Sequence, residues 1–156
     1  MANRKIQRAD LDGSNVRDVY FSDGFPHGLV LDAGQQKLYW AQSPNPKIRR
    51  ADLDGSNVED LVAIVSTELT YIPDVALDLP AGKMYWGDYT AKKIQRSNLD
   101  GSEIEDIITE QRAVQIAIDS MHGKIYWNNN GREINRANFD GLSQENLLTG
   151  SLGVLG

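Results

Sequence analysis

One ten-residue pattern occurs four times in this chain, and it constrains the fold more than any other feature. The copies are Lys5-Ile-Gln-Arg-Ala-Asp-Leu-Asp-Gly-Ser14, Lys47-Ile-Arg-Arg-Ala-Asp-Leu-Asp-Gly-Ser56, Lys93-Ile-Gln-Arg-Ser-Asn-Leu-Asp-Gly-Ser102 and Glu133-Ile-Asn-Arg-Ala-Asn-Phe-Asp-Gly-Leu142. Their glycines, Gly13, Gly55, Gly101 and Gly141, are 42, 46 and 40 residues apart. A second pattern keeps the same phase: Leu31-Asp32 then Lys37-Leu-Tyr-Trp40, Leu77-Asp78 then Lys83-Met-Tyr-Trp86, and Ile118-Asp119 then Lys124-Ile-Tyr-Trp127. Two unlike patterns held at one period mean a repeated structural unit.

Each period reads as four short strands rich in β-branched and aromatic residues, separated by Gly, Pro, Asn and Asp. In the unit that begins near His27, they fall near His27–Asp32, Lys37–Ala41, Lys47–Leu53 and Val58–Ala63. The Asp-Gly step between the third and fourth is a hairpin signal, since glycine tolerates positive φ. Four strands in about 40 to 45 residues is the period of a β-propeller blade. The predicted fold is therefore all-β.

Of the propeller repeats, this one resembles the YWTD type, the LDL-receptor class B repeat. Tyr39-Trp40-Ala41-Gln42, Tyr85-Trp86-Gly87-Asp88 and Tyr126-Trp127-Asn128-Asn129 correspond to the naming tetrapeptide, and Ile-x-Arg-Ala-x-Leu-Asp-Gly-Ser to the rest of the blade. No unit has the full Tyr-Trp-Thr-Asp, and only Asp88 keeps the final acid. The resemblance spans roughly residues 4–149. It divides one domain, 1–156, into an opening half-blade at 1–23, blades at 24–65, 66–111 and 112–149, and a tail at 150–156 that is the first strand of a further blade. That is about three and a half blades, where the YWTD family closes six in one chain. The expectation is that two copies associate head-to-tail and close a six-bladed ring as a homodimer; a four-bladed monomer is the alternative.

Composition removes several function classes. The net charge is −6, without a basic face for nucleic acid. No cysteine is present, which excludes disulfides, zinc–thiolate sites and cysteine nucleophiles. No apolar run is long enough to span a bilayer, and the opening residues are not those of a signal peptide. The family resemblance implies an extracellular or periplasmic setting.

The repeated residues read as structure. Alternation sends Tyr and Trp of each pair to opposite sheet faces, where they pack blade on blade. Arg8, Arg50, Arg96 and Arg136 share a face with the isoleucine two residues before, and each needs an acceptor. Asp32, Asp78 and Asp119, or the turn acids Asp12, Asp54, Asp100 and Asp140, are the expected partners. Asp-Leu-Asp-Gly-Ser-Asn lacks the remaining ligands of a calcium loop, so a hairpin is expected and no metal. The two histidines, His27 and His122, fall on opposite faces of the disc. No nucleophile elbow, zinc helix or phosphate loop appears, and no cofactor is expected.

The units differ most in the loops of one face: Ala41–Lys47, Gly87–Lys93 and Asn128–Glu133, with Tyr20–His27, Ala63–Asp74 and Thr109–Val114. Variable loops on a repeated scaffold make a binding surface. The candidate ligand-binding residues are Phe25, His27, Tyr71, Tyr89 and Arg112, of types that interfaces favour. Gln42, Asp88 and Asn129, which follow the Tyr-Trp pairs, are added as residues near the central channel. The resemblance implies a protein or peptide partner at this face. The expected function is noncatalytic binding, with a metal-dependent lactonase- or lyase-like enzyme and a purely structural assembly unit as alternatives.

Overall fold

The computed structural model describes residues 4–63, 70–129 and 133–149. Among the described residues, fourteen strands run in chain order without a helix between them. The opening pair is β1 (Lys5–Arg8) and β2 (Arg17–Phe21). The first full blade comprises β3 (Phe25–Asp32), β4 (Lys37–Ser43), β5 (Lys47–Asp52) and β6 (Glu59–Ala63). The second comprises β7 (Val75–Asp78), β8 (Lys83–Asp88), β9 (Lys93–Asn98) and β10 (Glu105–Thr109). The third comprises β11 (Gln115–Asp119), β12 (Lys124–Asn128), β13 (Glu133–Asn138) and β14 (Glu145–Thr149). Each full blade is an antiparallel meander in sequence order, and the opening pair is a two-stranded sheet. The fold is thus an arc of β-propeller blades, as the repeat implies. Residues 64–69 of the longest loop and the tail 150–156, expected as a further strand, lie outside the described residues.

The Tyr-Trp alternation packs the arc. Trp40 joins Leu38 and Ala51 in a buried cluster with Ile6 of the opening pair. Tyr39, one residue earlier, points the other way, into a cluster with Val75, Met84 and Trp86 of the second blade. Tyr85 repeats this against Ile116, Ile125 and Trp127 of the third. Each full blade therefore sends its tryptophan back, and the first two send their tyrosine forward. Of the three indoles only Trp86 finds a side-chain acceptor, Gln95 Oε1 at 3.1 Å, while Trp40 Nε1 and Trp127 Nε1 are buried without a partner.

The arginines correct the expected pairing. Arg50, Arg96 and Arg136 do not meet the acids of the first strand or of the turns. They pair with Glu59 at 2.5 Å, Glu105 at 3.0 Å and Glu145 at 2.6 Å. The register explains this: each glutamate lies directly across from its arginine on the fourth strand. In the opening pair that position is Arg17, so Arg8 faces a like charge. The turn acids instead hold their own hairpins: Asp12, Asp54, Asp100 and Asp140 accept the backbone N–H two residues on. Asp32 and Asp119 likewise close the turn between first and second strands.

The two ends of the arc are unlike its interior. Ile48 and Ile94 are fully buried by the following blade, but their counterpart Ile134 is 42% exposed. Val62 and Ile108 are buried, and Leu148 is 58% exposed. Each such aliphatic side chain gains roughly 1.5–3 kcal/mol when fully covered, so the last blade presents a face suited to another sheet.

Candidate functional site

Four of the sequence-selected residues touch in series on the loop-rich face. His27, near the start of β3, is edge-on to Tyr71, with ring centroids 5.4 Å apart and planes at 90°. Tyr71 precedes β7 and meets Tyr89, in the β8–β9 turn, at 6.2 Å. The backbone ties them, since Tyr89 N–H donates to the Tyr71 carbonyl at 3.0 Å. The Arg112 guanidinium, on the approach to β11, lies 5.2 Å from the Tyr89 ring centre. The series runs from the first full blade to the entry of the third. Edge-to-face contacts fix the rings, and Tyr71, at the middle of the series, stays 38% exposed with little entropy left to lose.

Phe25 stands apart from this ribbon. Its ring is 40% exposed, and the Arg4 guanidinium stacks 4.4 Å from its centre. Arg4 escaped the sequence reading because nothing in the repeat marks it. The same is true of Ser43, whose hydroxyl is 2.8 Å from His27 Nε2. Burial holds the His27 imidazole below its ordinary pKa, so it is neutral at pH 7. A neutral ring has one donor and one acceptor nitrogen, and Ser43 occupies one of them.

Gln42, Asp88 and Asn129 occupy a different layer. Gln42 is almost wholly buried; it accepts from Ser22 Oγ at 2.7 Å and from Arg49 at 3.0 Å, and donates to Asp23 at 3.0 Å. Asp88 is buried and accepts the Ala91 N–H at 2.8 Å. Asn129 donates to Glu133 at 2.8 Å. The structure thus brings His27, Tyr71, Tyr89 and Arg112 together and ties Gln42, Asp88 and Asn129 into internal hydrogen bonds.

Gln42 belongs to a polar knot centred on Arg49. Its guanidinium bonds Asp60 at 2.6 Å, Asp23 at 2.7 Å and Tyr20 Oη at 3.0 Å, joining the first full blade to the opening pair. Burial alone would ease its proton off, but the hydrogen bonds it donates to Asp60 and Asp23 outweigh that and raise its pKa. Asp74 makes a second junction. It accepts from Val75 N–H and, on the next blade, from Ile116 N–H, both at 3.0 Å, and burial raises its pKa despite those two bonds. Among the described residues no three His, Asp or Glu side chains gather as a metal site.

No protein-family model and no curated protein sequence matches the chain. Solved structures do. A nidogen/laminin complex contains a chain with TM-score 0.86 at 22% identity, over 97% of this chain and 60% of that one. A gluconolactonase from Xanthomonas campestris gives TM-score 0.67 at 20% identity, over 82% and 42%. A TolB-like protein from Agrobacterium tumefaciens gives 0.71 at 14%, over 92% and 56%. The chain spans less than two thirds of the length of each. Internal repeat and structural likeness together identify it as an arc of β-propeller blades.

Proposed function

We propose that the chain is a noncatalytic binding module whose loop-rich face takes a protein or peptide segment. The observation that carries this reading is the continuous His27–Tyr71–Tyr89–Arg112 ribbon. Fixed aromatic rings offer apolar area, the neutral imidazole offers a hydrogen bond, and Arg112 offers a charge to a carboxylate. Phe25 with Arg4 repeats the ring-and-guanidinium pairing apart from the ribbon. Partners of this kind are extended segments with apolar side chains and an acid at one end. The likeness to a chain of a nidogen/laminin complex supports a protein partner, and a fold shared with a gluconolactonase carries no site with it. In this reading Gln42, Asp88 and Asn129 shape the floor beneath the ribbon.

Displayed random peptides selected on the wild-type protein test it. Binders enriched on the wild type lose at least about tenfold affinity on the Tyr71→Ala/Tyr89→Ala double variant, about 1.4 kcal/mol or more. Equal binding to both proteins overturns the site.

A second copy is proposed as the partner that meets the exposed face of the last blade, around Ile134 and Leu148. Sedimentation checks this: a stable, folded 17.3 kDa monomer at working concentrations counts against it.

A further inference from the structure

The residues of the ribbon come from three sheets. His27 lies in β3, Tyr71 just before β7, Tyr89 between β8 and β9, and Arg112 just before β11. β3, β7 and β11 each begin a separate sheet. A ligand lying along the ribbon therefore crosses from sheet to sheet, and cannot add as a strand to any one of them. The loop backbone beside it is also engaged. The Tyr71 carbonyl takes the Tyr89 N–H at 3.0 Å, the Lys92 carbonyl takes the Gln111 N–H at 2.9 Å, and the Asn128 carbonyl takes the Val114 N–H at 3.0 Å. A segment bound here finds few backbone acceptors for its own N–H groups and keeps its main chain in water.

The ribbon supplies rings, one hydrogen-bond donor and positive charge. Its ring-to-ring steps are 5.4 and 6.2 Å, and the guanidinium stands 5.2 Å beyond the last ring. A polyproline II chain advances about 3.1 Å per residue, so each step matches about two residues and the series holds at most about six. The donor is present in either tautomer of His27. If the Ser43 hydroxyl donates to Nε2, the Nδ1–H remains; if Nε2–H donates to Ser43, the hydroxyl proton remains. At the far end Arg112 makes its ring contact but no ion pair among the described residues. Lys92, whose carbonyl holds Gln111, brings a second cation to the same loops and reaches Glu110 only at 3.9 Å. In a chain of net charge −6, these two cations complement an anionic end of the ligand.

Given that this face binds a segment at all, the reading on which this rests, we infer that the segment is proline-rich, in polyproline II form, with acidic residues flanking the prolines at the Arg112 end. Polyproline II has no internal hydrogen bonds and a solvated main chain, which suits a surface with few backbone partners to give. Proline has no N–H to leave unpaired. Its ring packs on the fixed faces of Tyr71 and Tyr89, while the His27–Ser43 pair donates to a ligand carbonyl. Arg112 and Lys92 hold the acid, which makes Lys92 a further residue of the site. Both partners are ordered before they meet, so little chain entropy is lost on binding. A β-prone apolar segment of the same length would instead carry N–H groups that find no ladder.

The test titrates the 156-residue protein with a peptide of six prolines flanked at each end by two glutamates, so that either chain direction brings an acid to Arg112. One control replaces the prolines with alternating valine and threonine, and another replaces the glutamates with lysines. Calorimetry and amide resonances follow binding. The expected result is saturable one-to-one binding of the proline–glutamate peptide, with shifts at Tyr71, Tyr89 and Gln111. The valine–threonine peptide binds at least about tenfold more weakly, and the lysine peptide at least about fivefold more weakly. Arg112→Gln with Lys92→Gln, both on loops, removes the preference for glutamate over lysine and leaves the thermal midpoint unchanged. Equal or tighter binding of the valine–threonine peptide overturns the polyproline class; the displayed-peptide selection on the Tyr71→Ala/Tyr89→Ala variant then tells whether the binding face itself survives. No saturable binding of the proline–glutamate peptide, shifts confined to other parts of the protein, or a glutamate preference that persists in the double glutamine variant also overturns the proposal.

Discussion

The Arg96 guanidinium donates to the main-chain carbonyl of Phe139, 3.1 Å away in the next blade. Arg50 does the same to Leu99 at 3.3 Å. Each arginine also lies along a tyrosine ring and pairs with a glutamate at its own blade's rim. The glutamate is half exposed and the carbonyl contact is not. Arg96→Ala is expected to cost about 2–3 kcal/mol in urea unfolding, from a charged hydrogen bond and lost packing. Glu105→Ala should cost under about 1 kcal/mol, as an exposed pair does. Arg96→Lys recovers little, since the fork that serves carbonyl and carboxylate at once is gone.

Glycine in the Asp-Gly hairpin does more than turn the chain. Gly101, at φ +84°, lies against the Leu61 carbonyl of the preceding blade, and a Cβ there would collide with backbone. Gly13, at φ +81°, has open space in the same direction. Gly13→Ala is expected to cost about 1 kcal/mol, for the left-handed backbone alone. Gly101→Ala should cost roughly 2–4 kcal/mol, adding an overpacked junction. The difference between the two, from parallel thermal melts, isolates blade-to-blade contact.

His27 titrates below its ordinary value because burial disfavours the imidazolium. In the unfolded chain it takes up its proton near pH 6.5. A base with a depressed folded pKa contributes stability that is present above the unfolded value and declines as pH falls through that window toward the folded value. Nuclear magnetic resonance of the imidazole is expected to give a midpoint under 6.5, and His27→Gln should flatten the pH dependence of the unfolding midpoint between neutral pH and 5.

Arg49 is the centre of the first junction, with a side chain only 9% exposed. Arg49→Leu removes one donor each from Asp60, Asp23 and Gln42, and is expected to cost about 2–3 kcal/mol. Asp60 keeps a lowered pKa because Lys47 and Arg49 together outweigh its burial. Its contribution is therefore present above the ordinary carboxylate range and lost as pH falls through the lowered value. Normalised to its stability at pH 7, the wild type should therefore lose stability more steeply on acidification than Asp60→Asn, which lacks the titrating carboxylate.

Much of this architecture could be read from residues alone, because a repeat shows each position several times. The Tyr-Trp alternation gave the blade faces before any packing was seen, and the Asp-Gly steps gave the hairpins. The arginine partners were not legible: Glu59, Glu105 and Glu145 occupy equivalent places, but only the bulged register between third and fourth strands puts them across from Arg50, Arg96 and Arg136. The ribbon was legible as a set of residues and not as a contact series. Tyr71 and Tyr89 lie in loops of unequal length, where spacing carries no geometry. The inner position of Gln42 depended on Arg49, which stands where the other units carry Gln or Asn and so left no repeated signal.

Among the described residues, only the β7–β10 sheet lies between two four-stranded neighbours. In an array whose units touch only what is next to them, order spreads from the unit with most support. The central blade is then the place where the structure zips and the last to let go. Amide exchange should slow toward Tyr85, Trp86 and Ile94 and quicken toward Lys5 and Thr149, so the arc frays like a short rope, from both ends inward.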